Sequence, residues 1–304
     1  MRIKVLGAAA GGGLPQWNCA CTNCSAVRNN EPNIRARSQS QLAVSAGDDS
    51  WFLVNASPDL RDQLINNPEL HPNSTNHLRD TPVAGVILTS ADLDHVLGLL
   101  LMREFTPVRI YATRPVISIL KKNSFFQMLD RLPGQSRWTT IEPGVSFHAG
   151  ENLVCTPIAL SGSLPAYVRE EERADLDLTG ATIGVLLEEV NGARIAYLPA
   201  LSSVSPSLKE LLRTCSAILV DGTFWSDDEL QSIQPGTAPA RSMGHLPISG
   251  QDGSLSTLRD LNGMRKIYTH INNTNPILNE QSSARRQVDD AGWEVAWDGL
   301  EITI

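Results

Sequence analysis

Short β-rich runs recur along the whole chain with helical stretches between them, and this alternation constrains the fold more than any single motif. Runs at residues 3–7, 41–45, 51–55, 83–88 and 108–112 precede a helical stretch at 116–129. The pattern resumes at 145–148, 153–160, 182–188, 194–198, 217–221, 267–270 and 294–304. Further helices are predicted over 58–66, 95–105, 205–215, 254–262 and 279–291. Strands with interspersed helices in both halves predict a layered α/β architecture. No Gly/Ser or charged linker separates the halves, so a single domain over 1–304 is expected. Three polar stretches interrupt it, at 68–82, 162–180 and 222–247. The last two follow strands and are candidate lids, although most of their residues read as solvated surface loop.

Composition narrows the function classes. The chain has 304 residues and is 41% hydrophobic, with no very long apolar run, which describes a soluble globular protein. A net charge of −8 argues against a nucleic-acid footprint or a basic membrane-binding face. The apolar stretch at residues 1–6 is too short for a signal peptide or a membrane span, so the cytoplasm is the expected location. The glycine-rich segment 7–13 lacks the Lys-Ser/Thr of a phosphate loop and does not match GxGxxG. It reads instead as a tight turn.

Two groups of residues carry chemistry. Cys19, Cys21 and Cys24 form a CxCxxC cluster whose thiolates can make three corners of a closed tetrahedral zinc site. A redox or accidental cluster is the plainer alternative. Cys155 and Cys215 lie in apolar runs and read as core residues. The second group begins where the run 83–88 leads into Ser90, Asp92, Asp94 and His95, a strand followed by a ligand-bearing turn and a helix. Asp94 and His95 join His270, which ends the run 267–270. Two imidazoles and one carboxylate with open positions suit non-haem Fe(II) and oxygen chemistry, whereas hydrolysis by a metal pair needs ligands for two ions. The competing reading makes Asp94 a helix cap and His95 a packed or solvated side chain. His71, His77 and His148 are not expected to be ligands.

The turn resembles the HxHxDH signature of the metallo-β-lactamase superfamily, with Ser90 and Asp92 in the leading His positions and Asp94 and His95 matching the closing DH. The chain is also similar, over nearly its whole length, to the B-protein family of pyrroloquinoline quinone (PQQ) biosynthesis within that superfamily. The matching segments are Val5-Leu6-Gly7, the CxCxxC, Asp92-Leu93-Asp94-His95, Met243-Gly244-His245-Leu246-Pro247, the run from His270 to Pro276, and Trp297-Asp298-Gly299-Leu300. The resemblance implies an αββα sandwich with metal ligands along one edge. Where phosphodiesterase relatives carry a further His, this chain has Ser161-Gly162, and where they carry the metal-bridging Asp it has Pro199-Ala200-Leu201. One metal position survives, which implies mononuclear chemistry.

The implied activity is iron- and O2-dependent hydroxylation of the tyrosine-derived ring of a cross-linked Glu-Tyr precursor. Asp94, His95 and His270 would hold Fe(II). Asp92 is a further ligand, an acceptor orienting a ligating His, or a base. His245 lies where relatives place an acid/base His, with a structural hydrogen-bonded His as the alternative. The zinc of the knuckle would be structural; relatives have a His at the position of Asn273, itself a poor zinc ligand, so a backbone or other side-chain group is expected as the fourth ligand. The expected partners are the small-molecule precursor or PQQ itself, other enzymes of that pathway and a second copy of the chain in a homodimer. Arg103, Arg169 and Arg241 are weak cationic candidates for the precursor's carboxylates and read more readily as surface charges than as ligands. Two other classes stand beside this one: a carrier of PQQ or its precursor, with a role in export, and a one-metal hydrolase.

Overall fold

The computed structural model describes the chain apart from residues 48–49, 73–78, 105, 163, 174–175, 177 and 191. Its strands form two sheets of seven. The first holds β1 (Arg2–Gly7), β2 (Gln41–Ser45), β3 (Trp51–Val54), β4 (Val83–Ile87), β5 (Val108–Ala112) and β6 (Ser136–Thr140). The second holds β7 (Phe147–His148), β8 (Leu153–Ala159), β9 (Ile183–Glu189), β10 (Arg194–Leu198), β11 (Ala217–Asp221), β12 (Arg265–Thr269) and β13 (Glu294–Val295). The final strand, β14 (Glu301–Thr303), returns to the first sheet and sets Ile302 opposite Ile3. Each sheet runs through three antiparallel pairings and then three parallel ones.

Alternation along the strands builds three apolar layers, because successive side chains leave opposite faces of a sheet. Ile87, Val54 and Val44 meet Tyr197, Leu219 and Ile267 between the sheets. Val86 and Leu88 face outward onto Leu60, Val96, Leu99 and Ile119. Ala196, Leu198, Ile218 and Val220 face outward on the other side, onto Leu208, Leu212 and Val288. Strands buried on both faces read as near-continuous apolar runs, which is why they were legible in the sequence. The result is the expected αββα sandwich.

Several helices differ from expectation for local reasons. Over 95–105 only Leu93–Val96 is α-helical, and a 3-10 segment, Leu97–Met102, follows it. Gly98 explains the change: its N–H bonds the Ala56 carbonyl at 2.9 Å, and an added Cβ would lie 2.3 Å from the Ser57 carbonyl oxygen. The backbone is therefore drawn onto the end of β3. Within 116–129 the helix ends at Lys122, and Asn123 caps a new one by accepting from the Phe125 N–H. The run 254–262 is helical only over Ser254–Thr257. The run 294–304 is two strands in different sheets, parted by a turn in which Asp298 accepts from the Ala8 and Ser38 N–H groups. The polar edge strand β6 and the helix Thr22–Arg28 had no apolar periodicity to announce them. Among the described residues, no helix is long and apolar enough to cross a membrane.

Candidate metal centre

The segments that follow β4, β11 and β12 converge on one cavity of about 230 Å³. Its walls include Asp92, Asp94, His95, His245, His270 and Asn272. Asp94 is not a helix cap: its Oδ2 lies 3.2 Å from His270 Nε2 and 3.7 Å from His95 Nε2. Ligands 2.0–2.2 Å from one ion, at angles between about 90° and 120°, sit about 2.8–3.8 Å from each other, so this spacing suits a single metal.

Two matching relays aim the imidazoles. Ser90 donates its hydroxyl to Asp92 Oδ2 at 2.7 Å, and the same oxygen lies 2.9 Å from His95 Nδ1. Thr223 donates to Asp221 Oδ1 at 2.6 Å, and its oxygen lies 2.8 Å from His270 Nδ1. A hydroxyl that gives its proton to a carboxylate can only accept from the imidazole. Both Nδ1 atoms are thereby assigned as donors; in a neutral ring the Nε2 lone pair then faces Asp94, and in a protonated ring Nε2–H donates to it. His95 Nε2 is buried with no hydrogen-bond partner. An orphaned lone pair in a polar wall is what a ligand awaiting a cation looks like.

Electrostatics treat the two rings differently. Burial works to raise the Asp94 carboxyl, but the adjacent His95 and His270 outweigh it and hold Asp94 well below the ordinary carboxylate range. Burial pushes His95 down, toward the neutral ligand form. His270 moves the other way, because its hydrogen bond to Asp94 and that charge overcome burial. The backbone of His270 is left-handed, at φ 54°. Such a conformation costs a non-glycine residue on the order of 1–3 kcal/mol and persists where the surroundings impose it. Here Thr269 accepts from the Gly222 N–H at 2.7 Å and Ile271 donates to Ala8 at 2.9 Å, which clamps the residue from both sides.

His245 follows Gly244, whose φ of 88° turns the chain into the cavity. Its Nδ1 lies 2.7 Å from Asp221 Oδ2 and its ring stacks on His270 at 5.6 Å between centroids. Asp221 also accepts from the Leu201 and Thr223 N–H groups, both at 2.9 Å. Although Asp221, His245 and His270 cluster tightly, this carboxylate is fully engaged and serves to orient the two rings. Asp221 and Thr223 were missed in the sequence. Their only local signal is an apolar strand that ends in an acid.

The cysteines form a second centre. The sulfurs of Cys19, Cys21 and Cys24 lie within 4.8 Å of one another. The Asn273 side-chain amide stands over all three, 3.2, 3.6 and 3.3 Å from the respective sulfurs. Burial acts to raise the Cys19 thiol, but hydrogen bonds from Cys21, Cys24 and Asn273 leave it lowered. Burial pushes Cys21 up to about 11. Cys155 and Cys215 are buried in the apolar layers, as expected.

Arg103, Arg169 and Arg241 are exposed and none lines the cavity, in keeping with their reading as surface charges. Arg103 and Arg169 pair with Glu104 and Glu171, and Arg241 lies in the 3-10 helix Ala240–Met243. His71 and His148 are exposed and remote, and His77 lies outside the described residues. Both expected lid stretches reach the rim. Segment 222–247 delivers His245, and within 162–180 Gly162 lines the cavity while the Tyr167 hydroxyl donates to the Ala91 carbonyl at 2.5 Å.

Comparison with known proteins agrees with this picture. A β-lactamase superfamily domain matches residues 50–271. Coenzyme PQQ synthesis protein B of Methylobacterium sp. (strain 4-46) is 40% identical over 304 residues, which is 100% of both chains. That of Rhizobium meliloti (strain 1021) is 42% identical over 100% of this chain and 98% of its own. Among solved structures, Zn2+-bound PqqB from Methylobacterium extorquens superposes with a TM-score of 0.92 at 37% identity, covering 100% of both chains. A diphosphatase of the PhnP family shares the fold at a TM-score of 0.69 and 19% identity, covering 100% of this chain and 97% of its own.

Proposed function

Because the chain belongs to the coenzyme PQQ synthesis protein B family, within the β-lactamase superfamily, we propose that it acts in PQQ biosynthesis as a mononuclear Fe(II) oxygenase. Its substrate is the tyrosine-derived ring of a cross-linked Glu-Tyr precursor, met in the cytoplasm. The observation that carries the reading is the buried, partnerless Nε2 of His95 beside Asp94 and His270. Two imidazoles and one carboxylate on one face are the donor set for Fe(II) with positions left open. A metal pair would need ligands about 3.5–4 Å further across, and there the wall offers Gly162 and Ala200, which have no ligand atom.

Fe(II) held by Asp94, His95 and His270 would supply the activation of O2. One oxygen atom enters the ring as hydroxyl and the other leaves as water, with two electrons from an added reductant. The chain's own groups manage position and protons. Ser90 and Thr223 fix the ligating rings. His245, anchored through Nδ1 to Asp221, keeps its other nitrogen free to take the proton of a phenol. Asp92 adds a second acceptor at the same wall.

At the knuckle we propose one structural zinc on Cys19, Cys21 and Cys24, with Asn273 as the fourth ligand. Turning the Asn273 amide by half a rotation exchanges Nδ2 for Oδ1, a choice set by hydrogen bonding rather than by shape. That presents an oxygen to the position the three sulfurs surround.

The test is anaerobic loading with Fe(II), addition of the precursor, a two-electron reductant such as ascorbate and isotopically heavy O2, and mass spectrometry of the product. The expected result is O2 consumption with heavy oxygen in the product. Tight binding with no O2 consumption would replace this reading by a carrier. Ester cleavage indifferent to O2 would replace it by a hydrolase.

A further inference from the structure

Asn272 lines the metal cavity two residues beyond His270, without a part in the metal site or its two relays. Its backbone is fixed at both ends: the N–H donates to the Thr223 carbonyl and the carbonyl accepts from the Asn275 N–H, each at 3.0 Å. The side chain is fixed by a relay of its own. Nδ2 donates to Thr274 Oγ1 at 2.6 Å, and Thr274 donates to Glu229 Oε1 at 2.5 Å. Glu229 is buried at the head of the helix Glu229–Ile233, and its other oxygen already accepts from the Trp225 N–H at 2.5 Å. Burial pushes this carboxyl up to about 7, so near pH 8 it is ionised and can only accept. Thr274 then gives its proton to Glu229 and receives one from the amide. The atom left for the cavity is the Asn272 carbonyl oxygen, an acceptor with no proton to give.

What such an acceptor meets follows from charge, with the metal counted. A divalent ion on Asp94 and the neutral imidazoles of His95 and His270 brings two positive charges, and Asp94 and Asp92 each bring one negative charge. The loaded cavity is therefore close to neutral. All 25 Lys and Arg side chains are among the described residues and none lines the cavity, so the metal is the cation that receives a substrate's phenolate or carboxylate. Each anionic group that arrives leaves the cavity net negative. An ammonium on the same molecule offsets that charge, and it needs an acceptor that competes for no proton. Hydrogen bonds to an ionised donor are roughly twice as strong as neutral ones, so a pre-aimed amide oxygen discriminates strongly between ligands with and without it.

We propose that Asn272 is a specificity-determining residue of the metal cavity, whose Oδ1 receives a free ammonium group of the amino-acid substrate while the metal receives its anionic groups. Asp92 adds the negative charge nearby, and Thr274 and Glu229 act as positioning residues that keep the amide from turning. The inference rests on the ring-binding reading of the cavity given above.

The full chain, with zinc in the cysteine site and Co2+ at Asp94, is titrated near pH 8 without O2 and followed by its cobalt spectrum. The probes are L-3,4-dihydroxyphenylalanine and 3-(3,4-dihydroxyphenyl)propanoate, which share ring and carboxylate and differ by the ammonium. The first should bind at least about tenfold more tightly. Asn272→Leu should bring the two affinities within about twofold of each other, with zinc and cobalt content unchanged. Thr274→Val, which frees the amide to turn, should cut the preference to about threefold, and Thr274→Ser should restore it. Equal binding of the two probes by the parent would overturn the proposal and leave ring binding standing. A preference that survives Asn272→Leu would put the amino group on the metal or elsewhere and overturn it as well. Binding of neither probe at millimolar concentration would overturn the proposal together with the ring-binding reading. Because turnover is never measured, failure of the oxygenase chemistry would leave these affinities as they are.

Discussion

Replacing Thr223 by Val tests the relay that aims His270. Val matches Thr in shape but has no hydroxyl, so the change removes one oxygen from a packed wall. In the native protein that oxygen donates to Asp221 at 2.6 Å and faces His270 Nδ1 at 2.8 Å. Asp221 keeps its bonds from Leu201, from the residue 223 N–H and from His245, so the carboxylate stays satisfied. His270 Nδ1 does not, and a buried donor without a partner costs about 1–3 kcal/mol. Loss of such an outer partner lowers metal affinity about 10–100-fold, or roughly 1.4–2.7 kcal/mol. The apo protein should therefore lose stability by the first amount. The stabilisation that metal adds, which grows as RT ln(1 + [L]/Kd), should shrink by the second. Thr223→Ser restores the hydroxyl and should bind metal within about threefold of the parent. Competition of Co2+ against a chromophoric chelator, after the cysteine site has been filled with zinc, reads the affinity directly. If Thr223→Val binds within twofold of the parent, the Asp221–Thr223–His270 relay is not what orients the ligand.

Other substitutions separate the two centres. His270→Ala should remove iron from the Asp94 position and abolish oxygen-dependent product, with the zinc of the knuckle retained in elemental analysis. Asp92→Asn should be milder on metal content, because Asp92 acts on His95 through Ser90; complete loss of the metal would make Asp92 a direct ligand. Cys21→Ser should lose about one zinc and melt at lower temperature, since metal binding and folding are coupled, and full zinc retention at unchanged stability would refute the assignment. Glu229 gives a pH test: burial pushes its carboxyl up to about 7, so the folded state holds a proton that the unfolded chain releases near pH 4.5. Stability from that difference is present below pH 4.5 and is lost as pH rises through 7, by an amount on the order of 3 kcal/mol. Glu229→Gln, which keeps an acceptor without the charge, should flatten this decline in melting curves between pH 5 and pH 8.

What could be read from the sequence was what is encoded locally. The β runs were legible because both faces of most strands are buried, and the knuckle because its three thiols fall within six residues. Asp94 and His95 were legible because a strand, a turn and a helix bracket them. Helix lengths were not, since they depend on distant backbone: the segment after His95 tightens where Gly98 meets Ala56 and Ser57. Nor was the turn at Asp298, whose partners Ala8 and Ser38 lie at the other end of the chain. Arg103, Arg169 and Arg241 face solvent, as their reading as surface charges had it.

The relays connect what was legible to what was not. Ser90 and Asp92 occupy positions where the superfamily signature carries His, and read from the motif alone they are lost ligands. In the fold they become the pair that holds His95 by its Nδ1. Asp221 and Thr223 do the same for His270 from the other sheet, in a segment more than 120 residues away. Neither hydroxyl could have been picked out beforehand, because serine and threonine are ordinary turn residues whose role appears only when a carboxylate lies on one side and an imidazole on the other. The conversion also accounts for the single metal position. A carboxylate that accepts a short hydrogen bond from a hydroxyl has less to offer a cation, so the residues that orient the surviving ligands are themselves drawn away from binding a second ion. Swapping Ser90 for His would test that directly. It removes the relay to His95 and returns a ligand atom to the opposite wall, so the surviving site should weaken even as a second metal gains a foothold, with the two changes read as separate steps in a metal titration. A gain in metal stoichiometry with no loss at the first site would show that the Ser90 relay contributes nothing.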